Sequence, residues 1–329
     1  MSQRKVFLDS IRGLVIIWML IVHISLNYGY ITYGEPFPRW SIFSWFSYFM
    51  VPFYFFSGYL FNPRCEFKEF LWRKEKTLLF PYFVYLLFGA IVYELYKIIC
   101  FKSIDHTIFF SLLPSGMPFY NTPLWFLISL FTCNVVYYWI SKLPSYISNI
   151  IITLCFLYAY YVEGRGYPQF LMHRAFFLGI VYFHLGHTFS SNYTKISNIF
   201  LFGAACVLFV GINVIDQQSL WFVENFQSQG NYILNLLFSL SAIYILYFLF
   251  SRFQRLNNRY VALVGRCSLV IFATHRPLLN YVYEPLMLYL FPNMGYGVFL
   301  GLGLIFLLLM AYIIYMIFQN VLPIVVGVR

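Results

Sequence analysis

Arg12 and His23 stand eleven residues apart in FLDSIRGLVIIWMLIVH, residues 7–23, an otherwise apolar stretch that also carries Asp9. At 100° per residue the intervening steps turn through about 1100°, within about 20° of whole turns, so a helix puts both on one face, about 16 Å apart along its axis. A permanent cation then sits near one end, and an imidazole able to exchange a proton near neutral pH sits near the other. Ionisable groups are costly in hydrocarbon and mark a functional site by default. No acid within this helix is placed to neutralise both groups, so the pair is read as functional. Asp9 and Asn27 lie close to the same stripe, whereas Leu14, Val15, Ile17 and Trp18 form a face suited to lipid or neighbouring helices.

The chain around this stretch is that of a polytopic membrane protein. Of 329 residues, 61% are hydrophobic and 10% charged, against about 45–50% and 25% in soluble proteins. Forty Phe and thirty Tyr fit a tightly packed bundle with aromatic residues at both interfaces. With about 20 apolar residues needed per span, ten runs qualify: about 6–27, 41–61, 77–100, 122–141, 146–162, 169–190, 197–215, 231–250, 261–283 and 296–318. Their length and continuity predict an all-α bundle rather than a barrel, forming one integral domain over residues 1–329. Residues 284–292, EPLMLYLFP, read as either a loop or an interfacial extension of the ninth run.

Loop cations set the expected orientation. Arg4, Lys5, Arg64, Lys68, Arg73, Lys74, Lys76, Lys142, Lys195, Arg252, Arg255, Arg259 and Arg329 fall on one side, and only Arg39, Lys97, Lys102 and Arg165 on the other. The positive-inside rule then predicts both termini in the cytoplasm. It also accounts for most of the net charge of +10, so nucleic acid is excluded as a partner. The six cysteines show no C-x-x-C spacing and read as reduced packing residues. Arg4 and Lys5 before an apolar run resemble a secretory signal, but no small-residue cleavage site follows, so the segment is expected to remain as an anchor. No fixed-period repeat or matched pair of halves is visible.

Depth along the predicted spans sorts the remaining ionisable groups. Arg12, Arg266, His184 and His187 fall toward the cytoplasmic side; His23, Glu94, His173, Arg174, His275 and Arg276 fall from mid-membrane outward. Two polar layers joined by one helix suggest a wet cavity or tunnel. His173, His184 and His187 read as hydrogen-bonded packing residues. His184 and His187, at i and i+3, have no third ligand at suitable spacing, so no metal site is expected. Glu94 suits either the outer interface or a buried role, and the basic stretch Arg64–Lys76 needs only the positive-inside rule.

The chain resembles the acyltransferase-3 family of bacterial integral-membrane acyltransferases. The resemblance begins with LDSIRGLVIIWMLIVH and continues in order through PFYFFSGYLF at 52–61, FLWRKEKTLLFPYF at 70–83, TPLWFLISLF at 122–131, HRAFFLGIVYF at 173–183 and SLVIFATHRPLL at 268–279. It implies a multi-pass protein of the bacterial cytoplasmic membrane, embedded in its lipids, that moves an acyl group from cytoplasmic acyl-CoA, acetyl-CoA by family preference, to envelope or lipid-linked carbohydrate. It further implies that Arg12 and His23 are the paired essential residues and that Arg73 opens a second basic motif. Where the family carries a second Arg this chain has Lys76, which keeps the charge but not the planar fork suited to phosphate.

Under that resemblance the nucleotide phosphates rest near Arg12, Arg73 and Lys76, and His23 acts as general base on an acceptor hydroxyl. An acyl-His intermediate is the variant of this mechanism; Ser10 lies too near the cytoplasmic end to be an obvious nucleophile. Glu94 would orient His23, and Trp125, Arg174 and His275 would help to bind the acceptor. Two readings from other classes compete: a transporter or flippase for a glycan or metabolite using the same polar layers, and a structural partner subunit. Missing repeats and few Gly or Pro breaks weigh against the first; the charged stripe of the first helix is unexplained by the second.

Overall fold

The computed structural model of the chain describes residues 3–34, 45, 48–104, 118–162, 173–196, 198–215, 219–220, 228–229 and 231–326, with backbone alone for 3–5, 173–174, 192–196, 219–220 and 228–229. The architecture is all-α apart from a two-residue antiparallel ribbon, Ser219–Leu220 with Ser228–Gln229. In chain order the helices are α1 (Gln3–Tyr33), α2 (Val51–Tyr59), α3 (Phe67–Lys74), α4 (Phe80–Phe101), α5 (Trp125–Ile140), α6 (Ser145–Val162), α7 (His173–Ile196), α8 (Ile199–Ile215), α9 (Tyr232–Arg252), α10 (Arg259–Arg266), α11 (Ser268–Leu278), α12 (Glu284–Leu290) and α13 (Tyr296–Val321).

Among the described residues, six helices are long and apolar enough to cross a membrane: Val6–Tyr33 of α1, Phe67–Phe101, Phe119–Ile140, α6, α9 and α13. The ninth expected run is not one straight span. Arg259–Arg266 and Ser268–Leu290 meet at Cys267 with a 70° bend and would make a seventh span if they cross together. The bend accompanies packing, because α10 runs antiparallel along α1 through Ala262 and Gly265 while its Arg259, Tyr260 and Arg266 stay exposed. Residues 284–290 are helical and continue α11 through a π-helical turn at Leu279–Tyr283. Of the other expected runs, the second is helical at Val51–Tyr59, its start lying outside the described residues. The sixth begins outside them too; its helix α7 has 24 residues but carries His173, Arg174, His184 and His187. The seventh, α8, has 17.

The centre of the bundle is built on α1 and α11. Ile11, Ile16, Met19, Leu20 and Ile24 of α1, and Val270 to His275 of α11, are buried. By contrast α4 presents Phe83, Leu87, Ile91 and Leu95 outward at four-residue spacing, the apolar stripe of a helix facing lipid. Two glycine pairs bring backbones into contact, as small residues do between membrane helices. A Cβ on Gly13 would lie 2.0 Å from the Val261 carbonyl oxygen, and one on Gly265 1.8 Å from that of Asp9, so α1 and α10 interlock reciprocally. Gly58 and Gly186 interlock α2 with α7, their Cβ positions 1.8 and 1.9 Å from the Phe183 and Phe55 carbonyl oxygens.

Asn121 ties α11 to the periphery. It interrupts the 3₁₀ turn Phe119–Leu124 with φ −149° and ψ 63°, is fully buried, and its Nδ2 donates to the carbonyls of Tyr85 (3.1 Å) on α4 and Ala273 (2.9 Å) on α11. Losing a donor that serves buried acceptors costs about 1–3 kcal/mol. Asn121→Ala is therefore expected to lower the thermal unfolding midpoint of the detergent-solubilised protein; an unchanged midpoint would show that the tie carries no stability.

Candidate active site

His23 lies half-buried on α1 with its Nδ1 2.8 Å from the Met19 carbonyl oxygen, one turn earlier. A carbonyl can only accept, so Nδ1 donates, and the neutral ring keeps its lone pair on Nε2. The partner of this imidazole's Nδ1 is a backbone carbonyl, and Glu94 lies half-buried on α4. His275 faces His23 across the α1–α11 contact, with ring centroids 4.9 Å apart and planes at 77°. Its Nδ1 likewise donates to backbone, to Phe272 at 2.8 Å and Ile271 at 3.3 Å. The residue is 1% exposed and its Nε2 has no hydrogen-bond partner among the described residues. Each of the two imidazoles thus holds one nitrogen on its own helix, and in the neutral ring the other carries the lone pair.

Aromatic rings wall this pair. Phe49 lies 5.8 Å from His23 and Phe272 6.1 Å from His275. Phe126 meets Phe272 at 5.3 Å, and Trp125, buried at the start of α5, meets Phe126 at 6.0 Å. Trp125 is thus linked to His275 through Phe126 and Phe272. The Arg174 side chain lies outside the described residues.

Beyond the pair, polar side chains join α1 to the far end of α11. Arg276 Nη1 donates to Asn27 Oδ1 at 3.1 Å; Asn27 Nδ2 donates to Asn280 Oδ1 at 2.8 Å and to Glu284 Oε2 at 2.9 Å. Sequence reasoning missed Asn280 and Glu284. Their signal was the four-residue spacing Arg276–Asn280–Glu284, which repeats one face of a helix.

At the other end of α1, Arg12 Nη1 lies 3.7 Å from Asp9 Oδ1, both half-buried. Arg73 and Lys76 are farther out. Arg73 pairs with Glu69 on an exposed surface, and Lys76 Nζ sits 4.5 Å over the Trp72 ring; both engage their own stretch of helix. The pocket bordering α1 is apolar, lined by Leu14, Val15, Trp18, Tyr48, Phe49 and Leu246. It shares Phe49 with the surround of His23.

A match to an acyltransferase-domain model covers residues 5–316. The chain belongs to the acyltransferase-3 family. No curated protein and no solved structure matches it. This acyltransferase is thus a multi-pass membrane enzyme, and its family match begins at the first helix and runs through α11 and most of α13.

In this acyltransferase two further histidines, His184 and His187, pack against neighbouring helices. His184 uses both ring nitrogens, on Tyr137 Oη at 2.9 Å and Asn149 Oδ1 at 3.0 Å, so that neither is without a partner. His187 packs against Phe61 and Tyr137 at 5.7 and 5.5 Å, and the His173 side chain lies outside the described residues. Among the described residues no three His, Cys, Asp or Glu side chains converge.

Proposed function

We propose that the enzyme moves an acyl group, acetyl in the first instance, from cytoplasmic acyl-CoA to a hydroxyl of an envelope or lipid-linked carbohydrate. In this reading the chain crosses the bacterial cytoplasmic membrane ten times with both termini in the cytoplasm, α11 and α12 completing the ninth crossing. The observation that carries it is the His23 ring, anchored through Nδ1 to Met19 with Nε2 left as a base, in a chain of the acyltransferase-3 family.

His23 Nε2 takes the proton of the acceptor hydroxyl as that oxygen attacks the thioester carbonyl carbon. The tetrahedral intermediate collapses with cleavage of the C–S bond. The departing CoA thiolate takes the proton back from the imidazolium, leaving an ester and free thiol. Arg12, about 16 Å along the same helix, holds donor phosphate at the cytoplasmic end. Arg73 and Lys76 add charge there by exchanging Glu69 and Trp72 for phosphate.

Mass spectrometry of cell-envelope glycans with and without the gene tests the assignment. The expected result is a mass difference of one acetyl group on a glycan; identical spectra would overturn it. Removal of a charge-assisted hydrogen bond costs about 1.5–3 kcal/mol, so Arg12→Ala should weaken apparent donor affinity about 10- to 100-fold. A normal apparent KM for acetyl-CoA would make Arg12 structural.

A further inference from the structure

We infer that Asn27, Arg276, Asn280 and Glu284 form the subsite that holds the acceptor, and that the group held there is an uncharged, hydroxyl-rich sugar ring. The inference rests on the acyl-transfer reading and adds where the second substrate sits and what its chemistry is.

Position is the first argument. Asn27 follows His23 by one turn of α1, about 6 Å along the axis, and Arg276 directly follows His275. A ring bound against these four side chains has its hydroxyls within a turn of both imidazoles. The second is unspent hydrogen-bonding capacity. Asn27 uses three of its four sites, accepting from Arg276 and donating to Asn280 and Glu284. The outer three are half-buried and use little of what they have. Among the described residues Arg276 spends one of its five N–H groups, Asn280 only its oxygen, and Glu284 one oxygen. A lock that only joined α1 to α11 and α12 would not require this surplus. The buried Nε2 of His275, with no partner among the described residues, adds an acceptor beside the same cluster.

Charge selects the ligand. Arg276 and Glu284 act on each other electrostatically and both bond Asn27, so their charges offset and no excess cation remains to draw a carboxylate or phosphate. Interleaved donors and acceptors instead match vicinal hydroxyls, each of which both donates and accepts. Tyr281, half-buried beside Asn280 and in ring contact with Tyr93 (5.1 Å) and Tyr96 (5.5 Å) of α4, supplies an apolar ledge with a polar rim. Such a ledge suits the carbon face of a pyranose.

The test is saturation-transfer NMR on the purified full chain in detergent. The probes are the methyl glycosides of glucose, galactose, mannose and N-acetylglucosamine, with methyl glucuronide as the anionic comparison. Wild type and Tyr289→Ala, an exposed change on α12, should bind at least one neutral glycoside and bind the glucuronide more weakly. Glu284→Gln and Asn280→Asp keep side-chain shape and should weaken that glycoside at least tenfold at an unchanged unfolding midpoint. No glycoside binding by wild type, unchanged binding in both variants, or preference for the glucuronide would overturn the subsite. Binding that falls together with the unfolding midpoint would also overturn it, making the network a structural lock. Transfer from labelled acetyl-CoA is followed in the same preparations; its absence in wild type would sink the acyl-CoA reading while glycoside binding stood as a separate result.

Discussion

Replacing His23 with alanine should lower acyl transfer by about 10²- to 10⁴-fold, the range that a positioned general base contributes. The change removes a ring whose Nδ1 is held on Met19 and whose other nitrogen is the base of the proposed step. It leaves intact the apolar positions Met19, Leu20 and Ile24 that seat α1 in the core. Membranes containing the variant at wild-type abundance, given labelled acetyl-CoA and an envelope glycan fraction, provide the measurement. Turnover at the wild-type rate would take His23 out of the chemistry. Because His275 faces it at 4.9 Å with a free Nε2, some residual rate above background is expected in His23→Ala, and it should vanish when His275→Ala is added.

The second large effect falls on folding. In Gly265→Ala the new methyl would lie 1.8 Å from the Asp9 carbonyl oxygen and 2.9 Å from the Gly13 nitrogen. Both obstacles are backbone, so no rotamer change relieves the clash, and α1 and α10 must move apart. Overpacking costs about 1–3 kcal/mol, occasionally more, and rigid neighbours place this case at or above the upper end. The expected outcome is a sharp drop in monodisperse protein recovered in detergent and in its unfolding midpoint. A variant as stable as wild type would mean that the two helices are not held at this distance. Gly211→Ala on α8, where a Cβ meets nothing within 4 Å, should have no such effect.

Hydrophobic continuity and helical period are the two features of the fold that a sequence carries openly. The all-α fold, most of the apolar helices and the shared face of Arg12 and His23 are consequences of 3.6-residue geometry and the length of apolar runs. The break at Cys267 was hidden because 261–283 reads as one apolar run, and only contact with α1 decides that α10 packs along it. The π-helical turn was hidden for a similar reason, since a run such as LNYVY carries no mark of its hydrogen-bond register. His275 was visible as an ionisable residue, yet its proximity to His23 needed the pairing of two helices some 250 positions apart, which no local pattern encodes. The Met19 contact is the reverse case, a purely local one: in a helix the carbonyl four residues back lies within reach of a ring nitrogen, and Met19 takes that place on His23 Nδ1.

The turn at Leu279–Tyr283 has five residues in π-helical register inside what is otherwise continuous α-helix from Ser268 to Leu290. Relative to an unbroken α-helix it behaves as a single inserted residue, two positions after Pro277. Each residue of an α-helix turns the chain by about 100°, so deleting one position from this stretch would swing α12 through roughly a quarter-turn and shorten it by one step. Glu284 would then leave Asn27 while Arg276, upstream of the change, kept its place. In a lineage of such chains, gain or loss of one codon here would exchange a balanced pair of charges for a lone guanidinium beside the same two imidazoles. The kind of molecule accepted could change without any substitution in the catalytic pair.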